Sequence, residues 1–193
     1  MKHLPLAAVA LPLAGCISFG AKPPPSLLVL TAAQPVAVGA TQSSAAARTI
    51  VVQAPAVPAM LATPRVPVQA TPTTVAYIKD AAWSEPPARL FARLLGETVT
   101  ARAGLVVVSS VQSIGDPSST LGGELRMFGV DAASLNAIVT YDATLVRAGG
   151  AAVEKRRFEA RVPVAAIDGP GAGMALNQAA NQVAGEVADW VRR

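Results

Sequence analysis

Two patterns of apolar and polar positions dominate the chain. Across residues 137–145 every second side chain is apolar: Ala137, Val139, Tyr141, Ala143 and Leu145. The same period returns in Phe158, Ala160, Val162 and Val164, with Lys155, Arg157, Glu159 and Arg161 on the alternate positions. Successive side chains of a strand point to opposite faces, so this alternation predicts two strands, each with one face on a core and one in water. Arg147-Ala148-Gly149-Gly150 supplies a hairpin turn between them. Residues 122–130 supply a preceding strand, and the three form a meander.

The second pattern is helical. After Trp83-Ser84-Glu85-Pro86-Pro87, the residues Leu90, Phe91, Leu94, Leu95 and Val99 fall on one face of a helix, and Arg89, Arg93 and Glu97 on another. Pro87 suits the first helical position, and Gly104 ends the helix. A break at Asp168-Gly169-Pro170-Gly171 precedes a second, alanine-rich helix. Its stripe is Leu176, Ala180, Val183, Val187 and Trp190, at alternating spacings of four and three.

Shorter runs complete the prediction. Residues 26–31 and 48–53 have strand composition, and 32–47, small and polar without a period, reads as a surface loop. Pro55, Pro58, Pro64, Pro67 and Pro72 exclude a helix of more than one turn. Residues 66–70 and 73–78 still suit edge strands, with a turn at Thr71-Pro72. The apolar run 105–108 reads as a strand buried on both faces, and 115–123 as a turn-rich loop. The whole is an α+β domain with two helices packed on one face of a mostly antiparallel sheet.

The opening of the chain follows a different logic. A basic start (Met1-Lys2-His3) leads into an apolar run from Leu4 to Ala14, which ends in small residues and the single cysteine of the chain. This is the tripartite layout of a secretory signal peptide. Leu13-Ala14-Gly15-Cys16 resembles a bacterial lipoprotein lipobox, which implies removal of residues 1–15 and acylation of Cys16. Two other readings compete. An uncleaved membrane anchor is opposed by Pro5, Pro12, Gly15 and Gly20 in the apolar stretch. Ordinary secretion would leave Cys16 a spectator. On the lipoprotein reading the chain divides into a signal peptide (1–15), a lipidated cysteine with a proline-rich tether (16–25) and one domain (26–193). The nine residues 17–25 reach roughly 30 Å when extended, which holds the domain just off the membrane.

Composition narrows the chemistry. Only 4% of the 193 residues are aromatic, so the core must be built from small and branched aliphatic side chains. The formal charge of +4 is mild, and no run of Lys and Arg is interleaved with aromatics, so nucleic acid is not an expected partner. His3, the sole histidine, leaves with the signal peptide, and Cys16 is consumed as a thioether. The mature domain would then offer no Ser-His-Asp triad, no Cys-His pair, no ordinary zinc site and no internal disulfide. Lys79, Asp80 and Glu85 have no spacing that selects them for catalysis, and the glycine-rich pieces match no phosphate loop. The reading is a protein without catalytic residues or cofactor.

The pattern Pro58…Leu61…Pro64, then Trp83-Ser84-Glu85-Pro86-Pro87…Leu90, then a meander and an alanine-rich last helix behind a lipobox, resembles the ABC-type transport auxiliary lipoprotein family. The resemblance runs over nearly the whole mature chain and is most specific in residues 83–95. Ala59-Met60 stands where members often carry an aromatic, and the 32–47 loop is longer than usual. The resemblance implies a non-catalytic accessory subunit of an ABC-type, MCE-linked intermembrane lipid transport system. Its implied partners are the membrane through the lipid anchor, an MCE-domain protein of the transporter, and phospholipid. Ile17 follows Cys16 in place of the aspartate linked to inner-membrane retention, which implies the periplasmic face of the outer membrane in a Gram-negative host. The alternatives are a structural envelope lipoprotein and a lipid carrier unrelated to an ABC transporter.

Candidate contact residues come from the exposed row Lys155, Arg157, Glu159 and Arg161, with Arg156 beside it. A solvated sheet face explains the row as simply as contact with acidic lipid headgroups or with a partner does. Trp83 and Trp190 suit either anchors for a partner or packing in the core, and core packing is the expectation for both.

Overall fold

The computed structural model describes residues 26–45, 47–108, 117–149 and 152–193. Within these residues seven strands form one sheet: β1 (Thr49–Val52), β2 (Arg65–Thr71), β3 (Thr74–Ala82), β4 (Val106–Val108), β5 (Ser119–Asp131), β6 (Asn136–Arg147) and β7 (Val153–Pro163). Two helices, α1 (Pro87–Thr98) and α2 (Gly169–Arg192), cover one face. The fold is the expected α+β arrangement.

The sheet is built around β5. One edge of β5 pairs antiparallel with β6 along its whole length, and β6 pairs antiparallel with β7. The other edge takes two parallel neighbours end to end, β1 opposite Ser119–Leu121 and β2 opposite Val130 and Asp131. Beyond them lie β4, parallel to β1, and β3, antiparallel to β2. Antiparallel pairing dominates, with three parallel pairings on the far side of β5. Gly123 lets β5 and β6 close on each other. Its φ is +139°, and a Cβ there would collide with the carbonyl of Asp142.

The core lies between the sheet and the helices. Ala137, Val139, Tyr141, Ala143 and Leu145 of β6 are all buried, as are Phe158, Ala160 and Val162 of β7 and Val164 just beyond it. On the helix side, Phe91 of α1 meets Tyr141 edge-on at 5.2 Å, and Trp190 of α2 packs on Phe158 at 5.6 Å. Burial pushes the Tyr141 phenol up, so it stays protonated and donates to the Gly122 carbonyl at 2.5 Å. The predicted stripe of α2 is buried throughout, and so are Ala172, Ala175, Ala179, Ala184, Ala188 and Val191. The wider buried surface follows from position, since α2 touches both the sheet and α1 and small side chains let both approach.

Pro87 opens α1, and Leu90, Phe91, Leu94, Leu95 and Val99 form its buried face as expected. The helix continues through a π turn, Val99–Ala103, and ends at Gly104 in the left-handed conformation. That turn carries Arg102 to Asp189 of α2, with Nε–Oδ1 at 2.8 Å and Nη2–Oδ2 at 2.7 Å. Asp168 caps α2 by accepting from the Gly171 amide at 2.7 Å.

Four local expectations change. Residues 66–70 do not form an edge strand: β2 lies between β3 and β5, because Val68 and Gln69 pair with Val130 and Asp131 on its second side, and only β3 is left at that edge. Residues 26–31 do not join a ladder as a strand; Leu28 alone forms a bridge, to Trp83. The segment is an extended strap whose main partner is a helix. Asn177 Oδ1 accepts from the Thr31 amide at 2.9 Å, and Asn181 Oδ1 accepts from the Ala33 amide at 2.7 Å. Asn181 Nδ2 in turn donates to the Thr31 carbonyl at 2.9 Å. The apolar run 105–108 is not buried on both faces. Leu105 is buried, but Val106, Val107 and Val108 are half-buried, because β4 ends the sheet on its side and lacks a second neighbour. Within the predicted loop 115–123, residues from Ser119 onward belong to β5, recruited by pairing with β1 and β6, while 115 and 116 lie outside the described residues.

Candidate partner-binding face

The row predicted from alternation lies on the open face of the sheet, across from the helices. The β6–β7 register sets Thr144 beside Lys155, Asp142 beside Arg157, Thr140 beside Glu159 and Ile138 beside Arg161. Arg156 points the other way, its guanidinium 4.9 Å from the Phe158 ring centre. Lys155, Arg157, Glu159 and Arg161 are therefore brought together on one surface.

The sheet also supplies partners that alternation in β7 alone does not reveal. Arg157 holds Asp142 in a two-pronged contact, Nε–Oδ1 at 2.6 Å and Nη2–Oδ2 at 2.7 Å. Arg126, from β5, lies 3.8 Å from Asp142 and 3.5 Å from Glu124. Arg161 Nε donates to Glu159 Oε1 at 2.8 Å, and the Thr140 hydroxyl donates to Glu159 Oε2 at 2.8 Å. The Arg157 bond holds the Asp142 carboxyl below the usual carboxylate range, reinforced by the charges of Arg157 and Arg126. The bond from Thr140 does the same for Glu159, with Arg161 adding to it. Positive and negative groups thus alternate across the face, and Arg126, Arg157 and Arg161 all spend their charge on carboxylates of the same sheet.

A groove of about 500 Å³ runs beside this network, lined by Gly123, Glu124, Asp142, Lys155 and Arg157 among others. Such a surface offers a partner oriented hydrogen-bonding groups with little net field. It does not resemble the uniformly basic patch that acidic headgroups select. Asp142, Thr140, Glu124 and Arg126 are the members that sequence reasoning missed. The polar even-numbered positions of β6, Thr140, Asp142 and Thr144, carry the signal, but only the hairpin register assigns their partners.

The remaining candidates fall elsewhere. Leu13, Ala14, Gly15 and Cys16 lie outside the described residues. Trp83 is 1% exposed and meets Phe128 edge-on at 5.3 Å, and Trp190 is buried against Phe158, so both pack in the core. Among the described residues no group of three or more His, Cys, Asp or Glu is placed to hold a metal, and no helix is long and apolar enough to cross a membrane.

Comparison with known proteins agrees with this architecture. The crystal structure of protein XCC0632 from Xanthomonas campestris superposes with a TM-score of 0.71 at 20% identity, covering 86% of this chain and 94% of that one. The crystal structure of an uncharacterized protein gives a TM-score of 0.66 at 21% identity, over 75% of this chain and 92% of that one. These likenesses show the fold. No curated protein matches. The model of the ABC-type transport auxiliary lipoprotein component family matches residues 29–188, from the strap to the last turns of α2. The chain therefore belongs to the ABC-type transport auxiliary lipoprotein component family, a non-catalytic accessory of ABC-type transport.

Proposed function

We propose that this chain is the lipid-anchored subunit that docks an MCE-linked ABC-type lipid transporter to the outer membrane. The observation that carries the reading is the family match over residues 29–188, which begins just behind a lipobox and a short tether. On this reading residues 1–15 are removed, Cys16 is acylated in the bilayer, 16–25 form the tether, and 26–193 are the working domain. A domain held within roughly 30 Å of its membrane cannot cross the periplasm to ferry lipid. It can receive the end of a partner that does cross. The open face with Lys155, Arg157, Glu159 and Arg161 is the proposed contact for that partner, an MCE-domain protein. Its alternating charges favour a surface with a matching pattern over a lipid headgroup, which leaves phospholipid as the cargo of the partner.

The test combines the mature terminus, the location and the phenotype. Mass spectrometry should find acylated Cys16 as the first residue, and fractionation should place the protein in the outer membrane. Cys16→Ala should release it from that membrane. A deletion strain should show a leaky outer-membrane barrier, restored by the wild-type gene and not by Cys16→Ala. A wild-type barrier in the deletion would refute the transport role. Stoichiometric phospholipid extracted from the purified protein would favour a carrier instead.

A further inference from the structure

The strap that follows the tether has apolar side chains on both of its sides. Leu28 and Leu30 turn inward and pack against the core. Leu27 and Val29, on the alternate positions, turn outward and are 53% and 55% exposed. Folding of the domain explains the inner pair and not the outer one. Beside them Met174, near the start of α2, is 73% exposed. Leu27, Val29 and Met174 line one shallow depression together with Leu28, Pro170 and Gly173.

This patch cannot drift away from the point where the tether leaves the domain. Leu28 is bound on both sides, its amide to the Ala82 carbonyl and its carbonyl to the Ser84 amide, each at 2.8 Å. Asn177 and Asn181 clamp the next residues to α2. Gly173 makes the close approach possible: a Cβ there would sit 2.8 Å from a Leu28 methyl. No residue lining the depression is charged, and the nearby Asp168 is engaged as the cap of α2.

We infer that Leu27, Val29 and Met174 form a membrane seat, which enters the headgroup and upper acyl region of the bilayer holding the anchor. The inference rests on the proposed acylation of Cys16. The occupant follows from the chain itself: the nine residues 17–25 bring this end of the domain within reach of the lipid surface, and the strap fixes which face arrives first. An uncharged apolar patch enters lipid without stripping water from a charge, and it does not select anionic lipids. Seating at the start of α2 leaves the open sheet face, across the sheet from α2, available to a partner.

The experiment uses the acylated full-length mature protein in phosphatidylcholine vesicles. Leu27→Cys, Met174→Cys and, as the control, Val153→Cys are each labelled with a small fluorophore. Quenching by a spin-labelled phosphatidylcholine is then read alongside the intact mass. The seat predicts several-fold stronger quenching at 27 and 174 than at 153, unchanged in about 1 M salt, where surface electrostatics are screened within about 3 Å. Equal or absent quenching at the three sites, with Cys16 acylated, overturns the seat and leaves the anchor standing. Shielding of 27 and 174 from the lipid in a sedimenting dimer also overturns it, in favour of a second copy as occupant. An unmodified Cys16 removes the lipoprotein reading, and the seat falls with it.

Discussion

Leu94 is 3% exposed on the face of α1 that meets the core, so it reports directly on the packing. Leu94→Asp removes a buried aliphatic side chain and puts a charge in its place. The expected loss is about 4 kcal/mol or more, read by chemical denaturation; an unchanged midpoint would contradict the packing. The open face gives a pH-dependent expectation. Arg157 lowers the Asp142 carboxyl and Thr140 lowers the Glu159 carboxyl, so both bind protons less readily folded than unfolded. Their contribution is present above the ordinary carboxylate range and is lost as pH falls through the lowered folded values. Carboxyl NMR titration should place both below the free-residue values, and Asp142→Asn should flatten the acid side of the stability curve. Both carboxylates lie near the surface, so the effect is small. Alternation identified Arg157 and Glu159 as facing water. It did not identify Asp142 as a partner, because a period of two names the face and leaves the neighbouring strand open.

At the scale of elements, the strongest periodicities read correctly: α1, α2, β6 and β7 lie where their stripes predict. The weaker runs were ambiguous for a physical reason. Residues 26–31 have strand composition, yet their partner is a helix bearing two asparagines four residues apart, and such a pairing leaves no periodic trace in the strap. The asparagines make a specific prediction. Asn177→Ala and Asn181→Ala should each cost about 1 kcal/mol, since each removes hydrogen bonds to strap backbone. Hydrogen exchange at the Thr31 and Ala33 amides should speed up in the corresponding variant, while amides in β6 keep their protection. Unchanged protection at both positions would mean that the strap is held by Leu28 alone. The run 105–108 misled in the opposite sense. Four apolar residues suggest a central strand, but β4 ended at the sheet edge, and edge or centre is decided by neighbours far away in sequence.

For the whole molecule, the class of fold was legible because the meander and two helices are local features. The parallel half of the sheet was not. β1 and β2 share one edge of β5, and both reach it through connections with no short-range signal. The family was legible in Trp83-Ser84-Glu85-Pro86-Pro87, and the structure gives these residues a physical role. Trp83 closes the core against Phe128, Glu85 bonds Arg93 at 2.6 Å beside the start of α1, and Pro87 begins the helix. The candidate site was legible by half, Lys155, Arg157, Arg161 and Glu159 from alternation, and Arg126, Glu124, Thr140 and Asp142 only from the register. Membership in the family makes the chain an accessory of ABC-type transport, and the central proposal is that it works by docking. The most direct measurement is cross-linking in intact cells, followed by purification of the acylated protein from the outer membrane and mass spectrometry of what is bound. Docking predicts an MCE-domain protein as a cross-linked partner, lost when Asp142 and Arg157 are exchanged for residues that reverse the pair and retained in Cys16-acylated wild type. Recovery of the acylated protein with no transporter component cross-linked to it would contradict the account.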